Sequence, residues 1–129
     1  MRDGPVGELH WLSVAEAAQA IADKELSPVE LMKALLERIA TLDPRLNAFI
    51  RLDAEAAMAA AKAAEAEAVA GRLRGPLHGV PVGIKDIINV AGLPTTCHSK
   101  ILVDNIAKVD AVCVQKLRGA GAIVMGKLS

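Results

Sequence analysis

Apolar residues recur at three- and four-residue spacing through the first seventy positions, which predicts amphipathic helices. Ser13 and Glu16 have the spacing of a capping box, in which the side chain of each residue accepts a hydrogen bond from the backbone N–H of the other. We therefore expect a first helix that begins after Ser13 and ends near Lys24.

A second helix is predicted directly afterwards. Ser27 suits the N-cap, Pro28 the first helical position, and Glu30 the acidic partner of a second capping box. Proline disfavours the helical conformation in the residue before it, so we expect Asp43-Pro44 to end this helix. The two helices are predicted to pack as a pair.

Two more segments lead up to residue 71. Residues 46–52 are predicted to form a short strand or an extended segment, and residues 54–70 an alanine-dominated helix. Because alanine has a small side chain, this third helix is expected to bury little area and to lie mostly at the surface.

The spacing changes to strict alternation after residue 75, which predicts a strand over residues 80–85. One face carries larger residues and the other small ones followed by a lysine: His78, Val80, Val82 and Ile84 against Gly79, Pro81, Gly83 and Lys85. Glycine inside a strand often marks the close approach of a ligand or of another backbone. The second face is therefore expected to be clear of side chains up to the lysine.

The remaining chain predicts a βαβ unit. Residues 89–108 are rich in turn formers and hydroxyl side chains, which indicates a long loop. A helix over 111–118 and an apolar strand over 122–125 follow. In such a unit the two strands run parallel with a right-handed crossover. The predicted fold class is α/β, with N-terminal helices followed by a partial mixed or parallel sheet that contains the βαβ unit.

Composition narrows the functional classes. The 129 residues are 53% hydrophobic and 23% charged, as in one globular domain. The formal net charge is zero and 2% of residues are aromatic, so direct nucleic-acid binding is not expected. The two cysteines lack the spacing of a disulfide framework, and no apolar run suits a signal peptide or the roughly 20 residues of a membrane span. We expect a cytoplasmic protein that does not bind membranes.

Lys85 is the strongest candidate for a catalytic residue. A lysine acts as a base when burial or a neighbouring positive charge lowers its pKa, and it needs a group such as a serine hydroxyl to act on. A strand end beside an apolar face fits that requirement, and an ordinary exposed lysine is the alternative. Adjacent strand residues point to opposite faces, so Asp86 is predicted to cap the following turn rather than to orient Lys85.

A phosphate-binding loop is a weaker candidate. Gly121, Gly126 and Lys127 match the start of such a motif, but Leu128 stands where the motif requires Ser or Thr. The residues between the glycines are expected to form a buried strand instead of a glycine-rich cradle. We therefore reject this interpretation.

Two arrangements of cysteine and histidine are also weak. Cys97 and His98 could act as thiol and base, but catalytic groups are assembled in space and seldom from sequence neighbours. Together with His78 and Cys113 they could offer zinc ligands, but the spacing matches no common zinc motif. No metal is therefore predicted.

A family resemblance adds to this interpretation. The run GPLHGVPVGIKDIINVAGLPTTCHSKIL, followed by DAVCVQKLRGAGAIVMGK, resembles the N-terminal part of the amidase signature family. The resemblance extends back to about Trp11, and the GIKD and AGLPTT pieces are its most specific parts. It implies a fragment of an α/β sandwich around a mixed sheet, in which residues 1–74 form a helical lead-in and residues 75–129 begin the sheet.

The resemblance also implies an activity: hydrolysis of a carboxamide to a carboxylate and ammonia by a Ser–cis-Ser–Lys triad, without metal or organic cofactor. Lys85 matches the family lysine, which deprotonates the bridging serine that activates the nucleophile. The family segment that carries both serines lies downstream of Ser129, and neither Ser99 nor Ser129 matches a triad member. The chain by itself is therefore expected to be a truncated, inactive amidase. At His98 the family usually has a small residue, often glycine.

Two alternative functions stay open. Within the family, the runner-up to a free amidase is a subunit of a tRNA-dependent amidotransferase, which the sequence cannot separate from it. It could also be a non-catalytic interaction module that needs a complementing chain. The expected partners are a small-molecule amide, once the site is complete, and further copies of the chain that pair with its unpaired sheet edges.

Overall fold

The computed structural model describes residues 8–129, and every helix and strand predicted above is present, with ends shifted by a few residues. In chain order these elements are α1 (Val14–Ala22), α2 (Pro28–Leu46), β1 (Phe49–Leu52), α3 (Ala54–Val69), β2 (Pro81–Lys85), α4 (Val112–Gly119) and β3 (Ile123–Leu128), with single turns of 3-10 helix at Leu9–Trp11 and Lys100–Leu102.

The start of α1 confirms the predicted capping box. The Glu16 backbone N–H donates to the Ser13 hydroxyl at 3.1 Å, and the Ser13 N–H donates to the Glu16 carboxylate at 2.8 Å. The buried face of α1 packs on the beginning of α2 and the end of α3, through a cluster that consists of Ala17, Ile21, Leu26, Leu31 and Ala68. The prediction that α1 and α2 pack as a pair is therefore confirmed, with α3 as the third member.

The second capping box does not form. Ser27 is the N-cap of α2, and its hydroxyl accepts a hydrogen bond from the Val29 N–H at 3.0 Å. The same hydroxyl donates to the carboxylate of Glu65 on α3, so a tertiary contact takes the place of the reciprocal bond expected from Glu30. The cap thus also ties α2 to α3.

The predicted end of α2 at Asp43-Pro44 is wrong. The helix continues through Pro44 to Leu46, and Asn47 then adopts the left-handed conformation with φ 51°. The Asn47 N–H donates to the Asp43 carbonyl at 2.7 Å, while the Asp43 carboxylate accepts from the Ala48 N–H at 2.8 Å. Because the proline lies in the last turn, few backbone hydrogen bonds follow it, and the capped end keeps the turn helical.

Helix α3 packs more closely than its composition suggested. Its buried residues recur at helical spacing and are all alanines: Ala57, Ala61, Ala64 and Ala68. The first three pack with Met32 of α2 and with Ile123 and Met125 of β3. Ala68 instead belongs to the cluster with α1 described above. The small side chains let one narrow face of α3 approach the sheet closely and join the core, while most of the helix is exposed, as expected.

The three strands form one mixed sheet in the order β1-β3-β2. The outer strand β2 runs parallel to β3 and is connected to it through α4, which confirms the βαβ unit. The other outer strand, β1, runs antiparallel to β3. Within residues 8–129, the outer edges of β1 and β2 have no strand neighbour. No helix in this part of the chain is long and apolar enough to cross a membrane.

The glycines before Lys85 face side chains of the same chain rather than open space. A Cβ atom at Gly79, where φ is +78°, would lie 2.7 Å from the Pro28 ring. A Cβ atom at Gly83 would lie 2.9 Å from the side chain of Leu128. The expectation that this face is clear of side chains is therefore wrong, because these glycines make room for side chains of α2 and β3.

Candidate active site

Lys85 is the last residue of β2 and pairs in register with Leu128 at the end of β3. Its side chain is exposed, and within residues 8–129 its ammonium has no hydrogen-bond or ion-pair partner. The parallel strands β2 and β3 therefore place their carboxyl ends together with Lys85 at the edge. In α/β sheets this edge is the usual place for ligands to bind.

Asp86 points in the opposite direction, and its side chain is 1% exposed. Its carboxylate pairs with Lys127 at 2.9 Å and accepts hydrogen bonds from both the backbone N–H and the hydroxyl of Thr96. Its backbone N–H donates to the Leu128 carbonyl at 2.8 Å, and its carbonyl accepts from the Cys97 N–H at 3.0 Å. The prediction that Asp86 caps the following turn is wrong, since the carboxylate bonds the loop and β3.

Lys127 is fully buried and is the largest such side chain in the described part of the chain. An ammonium carries three donors, and all three find an acceptor here. These are the Asp86 carboxylate at 2.9 Å, the Pro94 carbonyl at 2.9 Å and the Thr95 hydroxyl at 3.2 Å. Lys127 therefore joins β3 to the end of β2 and to the loop that starts at Pro94.

Burial acts on the pKa of the Asp86 carboxyl by raising it, because burial disfavours the charged form. The hydrogen bonds from Thr96 and Lys127, together with the positive charge of Lys127, outweigh that effect. The pKa of Asp86 consequently lies below its ordinary value of 3.8. A carboxyl group whose pKa is lowered by folding stabilises the fold at pH values above its ordinary pKa. That stabilisation is lost as the pH falls through the lowered pKa of the folded state.

The Thr96 hydroxyl should contribute to stability in a pH-dependent way. We expect Thr96→Val to lower the free energy of unfolding by about 1.5–3 kcal/mol at pH 7, where the hydroxyl bonds an ionised carboxylate. The loss should be smaller at pH 2, below the ordinary carboxyl pKa of 3.8, because the stabilisation that comes from the lowered pKa is lost as the pH falls. Urea unfolding at both pH values measures the difference.

The matched control is Thr41→Val on the exposed surface of α2. The Thr41 hydroxyl donates to the Glu37 backbone carbonyl at 3.0 Å, and neither group titrates. Its effect should be small and equal at both pH values. An equal loss for Thr96→Val at pH 7 and pH 2 would show that the hydroxyl does not stabilise the ionised form of Asp86.

The loop next to the Asp86–Lys127 ion pair has an unusual backbone conformation at two residues. Both Cys97 and His98 have positive φ angles, 49° and 59°, which non-glycine residues seldom adopt. The His98 ring shares a hydrogen bond of 3.0 Å with the Ser129 hydroxyl, directly after β3. The imidazole therefore bonds Ser129, and Cys97 and Cys113 are exposed free thiols.

The other candidates fulfil structural roles or stay apart. The buried His78 ring accepts a hydrogen bond from the Arg74 N–H at 3.0 Å, and its second nitrogen bonds the Ala64 carbonyl at 2.8 Å. Among residues 8–129, no three His, Cys, Asp or Glu side chains converge as metal ligands. Gly126 and Lys127 belong to β3, so the phosphate-loop spacing falls within a strand.

Cavity size does not indicate the position of Lys85. A cavity of about 420 Å³ lies between α3 and β3, and Lys85 is not among its lining residues. A smaller cavity of about 160 Å³ borders the buried ion pair, with Arg51, Asp86, Thr96 and Lys127 among its lining residues. The buried ion pair thus lies beside a small recess that residues of β1 also line.

Comparison with known proteins identifies the family. The Amidase family model matches residues 30–129. The chain belongs to the amidase signature family. It is 46% identical over 121 residues to a Glutamyl-tRNA(Gln) amidotransferase subunit of Roseiflexus sp. (strain RS-1), covering 94% of this chain and 25% of the relative. It is 44% identical to an acylamidase of Rhodococcus erythropolis, covering 92% of this chain and 25% of the relative.

Solved structures agree with this assignment. The native peptide amidase from Stenotrophomonas maltophilia superposes with a TM-score of 0.86 at 40% identity, over 95% of this chain and 26% of that one. A fatty acid amide hydrolase superposes with a TM-score of 0.90 at 27% identity, over 98% of this chain and 22% of that one. This amidase signature chain thus has the fold of the matching part of these enzymes but spans about a quarter of their length.

Reasoning from the sequence missed Lys127 and misjudged Asp86. Lys127 was considered only as part of a phosphate-binding loop, and once that loop was rejected no role was assigned to it. Lys127 nevertheless continues an apolar run typical of a buried strand. The available signal was a pair of opposite charges, one at the end of each parallel strand of the βαβ unit. Since the carboxyl ends of such strands lie at the same edge, Asp86 and Lys127 were candidates for an ion pair.

Proposed function

We propose that this chain forms part of an amidase domain and that Lys85 is the catalytic base of its active site. Residues 1–74 would supply the helical lead-in and residues 75–129 the part of the sheet that carries the lysine. The two serines of the triad would come from the remaining three quarters of an amidase. The 129 residues alone are expected not to hydrolyse amides.

The contrast between two lysines at the same sheet edge carries the proposal. Lys127 is fully buried with all three donors bonded, so it cannot exchange protons with a substrate or a serine without breaking these bonds. Lys85 is exposed and has no partner within residues 8–129. Its backbone is fixed by the sheet while its side-chain nitrogen is left available. Such an arrangement suits a residue that takes up a proton from a neighbouring hydroxyl.

The proposed chemistry begins with neutral Lys85. Its Nζ accepts the proton of the bridging serine as that serine accepts the proton of the nucleophilic serine. The nucleophilic oxygen then bonds the amide carbon and forms a tetrahedral intermediate, whose oxyanion is stabilised by backbone N–H groups. The intermediate breaks its C–N bond, and the leaving amine takes the proton back along the same path. Water finally hydrolyses the acyl-enzyme to the carboxylate.

A chimera tests this proposal. In it, our chain replaces the matching quarter of the Stenotrophomonas peptide amidase, a step supported by the 40% identity and the TM-score of 0.86. We expect the chimera to hydrolyse a peptide amide and Lys85→Met to lower kcat at least about a hundredfold, as for the loss of a general base. Ammonia release under saturating substrate measures the effect.

Lys116→Met, a change of an exposed lysine on α4, is the matched control and should keep full activity. The unfused 129-residue chain should release no ammonia. An active chimera that retains its kcat after Lys85→Met would overturn the proposed function. So would amide turnover by the unfused chain that persists after the same substitution.

The proposal covers hydrolysis and ammonia transfer alike, since both begin with the same attack on an amide carbon. The identities to the acylamidase and to the amidotransferase subunit, 44% and 46%, are nearly equal. The chimera therefore examines the step that the two functions share. The amidotransferase relative is a subunit, so this second function would additionally need partner chains.

A further inference from the structure

Four polar side chains, three of them buried and one half-buried, form a cluster next to Lys85 that we call the polar clamp. Its members are Asp86, Thr95, Thr96 and Lys127. They come from three places in the fold: the end of β2, the loop after it, and β3. In the described part of the chain, no buried side-chain nitrogen or oxygen lacks a hydrogen-bond partner, so the clamp is fully satisfied.

We propose that the polar clamp is a positioning device for Lys85, an inference that rests on the proposed function. The clamp holds the Asp86 carboxylate through Lys127 and Thr96. The Asp86 backbone is held beside it, because its N–H donates to the Leu128 carbonyl and its carbonyl accepts from the Cys97 N–H. The carbonyl of Lys85 itself accepts a hydrogen bond from the Ile88 N–H at 3.0 Å. The Cα of Lys85 is thus fixed on both sides, and this limits where its flexible side chain can place Nζ.

The chemistry of the clamp favours positioning over stabilisation alone. Replacing a buried ion pair with apolar residues of similar volume is often neutral or stabilising, so stability does not require the charges. An ion pair and two hydroxyls do, however, impose directions that an apolar contact does not. A misplacement of about 1 Å in a reacting group can lower a rate about a hundredfold. The clamp acts through Lys85, so its members are positioning residues.

The experiment measures kcat and KM separately in the chimera described above. We expect Lys127→Met to lower kcat at least about tenfold while KM changes less than about threefold. In this proposal the position of the Lys85 Nζ affects the proton transfer and not the binding of the substrate. Met32→Ala is the stability-matched control, since Met32 is fully buried between α2, α3 and β3. It should lower the thermal midpoint while kcat per folded molecule stays unchanged.

Milder variants keep the test decisive if Lys127→Met does not fold. Thr95→Val and Thr96→Val each remove one hydroxyl of the clamp and leave the ion pair in place. We expect each to lower kcat about threefold or more, and Thr41→Val to leave it unchanged. Amide exchange in the 129-residue chain gives a second readout. In the clamp variants, the N–H groups of Asp86, Ile88 and Cys97 should exchange faster than in the unsubstituted chain, while those of α3 should not change.

The outcomes separate the inference from the proposed function. Loss of activity with Lys85→Met but unchanged kcat in every folded clamp variant would overturn the positioning role alone. Full activity with Lys85→Met would overturn the proposed function. A fall in kcat for Met32→Ala as large as that for the clamp variants would show that the clamp acts only through stability.

Discussion

Lys127→Met is expected to lower the free energy of unfolding of this chain by about 3–5 kcal/mol. The change removes one partner of a buried ion pair and leaves the Asp86 carboxylate, 1% exposed, without its positive neighbour. The Pro94 carbonyl and the Thr95 hydroxyl lose their donor at the same time. Methionine has a similar length, so the loss reflects missing charge and hydrogen bonds more than missing volume. Urea unfolding at pH 7 measures it.

Two companion variants show where the loss arises. Lys116→Met removes an exposed lysine from α4 and should change the free energy by less than about 0.5 kcal/mol. The double variant Asp86→Asn with Lys127→Met leaves no buried charge, so it should recover part of the stability. A loss below about 1 kcal/mol for Lys127→Met, or a double variant less stable than Lys127→Met, would contradict the prediction.

Local patterns in the sequence predicted the local structure well. The box of Ser13 and Glu16 forms as predicted, because both partners lie within one helical turn. The strict alternation before Lys85 likewise predicted β2, and its βαβ connection to β3 is confirmed. In each case the interacting groups are close in sequence or follow a short-period pattern, so their spacing contains the information.

The failures come from specific hydrogen-bond partners, one in a distant segment and one within five residues. Glu65 takes the Ser27 hydroxyl that was expected to belong to a box with Glu30. The backbone around Asp43 caps α2 beyond Pro44, against the local preference of the residue before proline. In both places a specific partner decided the outcome, and no periodicity reports such a partner.

The candidate site shows the same division. The family resemblance indicated Lys85, and the strand pattern placed it at a strand end, where the structure has it. The pairing of Asp86 with Lys127 depends on which strands are neighbours and on a register that shifts after Val82. The alternation rule assigns faces along one strand only. It therefore predicted the direction of Asp86, away from Lys85, but not the group that Asp86 meets.

Gly126→Ala is the second substitution expected to have a large effect, about 3 kcal/mol or more of lost unfolding free energy. Gly126 lies in β3 opposite Leu52 of β1. A Cβ atom there would overlap the Arg51 carbonyl oxygen and lie 3.0 Å from the Leu52 Cα. These are backbone atoms, so no side chain can rotate away. The strands would have to separate, and the hydrogen bond from the Asp53 N–H to the Met125 carbonyl would break.

Gly119→Ala provides the matched control because it adds the same methyl group in open space. No atom lies within 4 Å of a Cβ at Gly119, the last residue of α4. Alanine is also the better helix former, so this variant should be unchanged or up to about 1 kcal/mol more stable. If Gly126→Ala unfolded at the same urea concentration as Gly119→Ala, β1 would not pack against β3 as described. Since β1 also borders the recess beside the ion pair, Gly126→Ala should weaken the polar clamp as well.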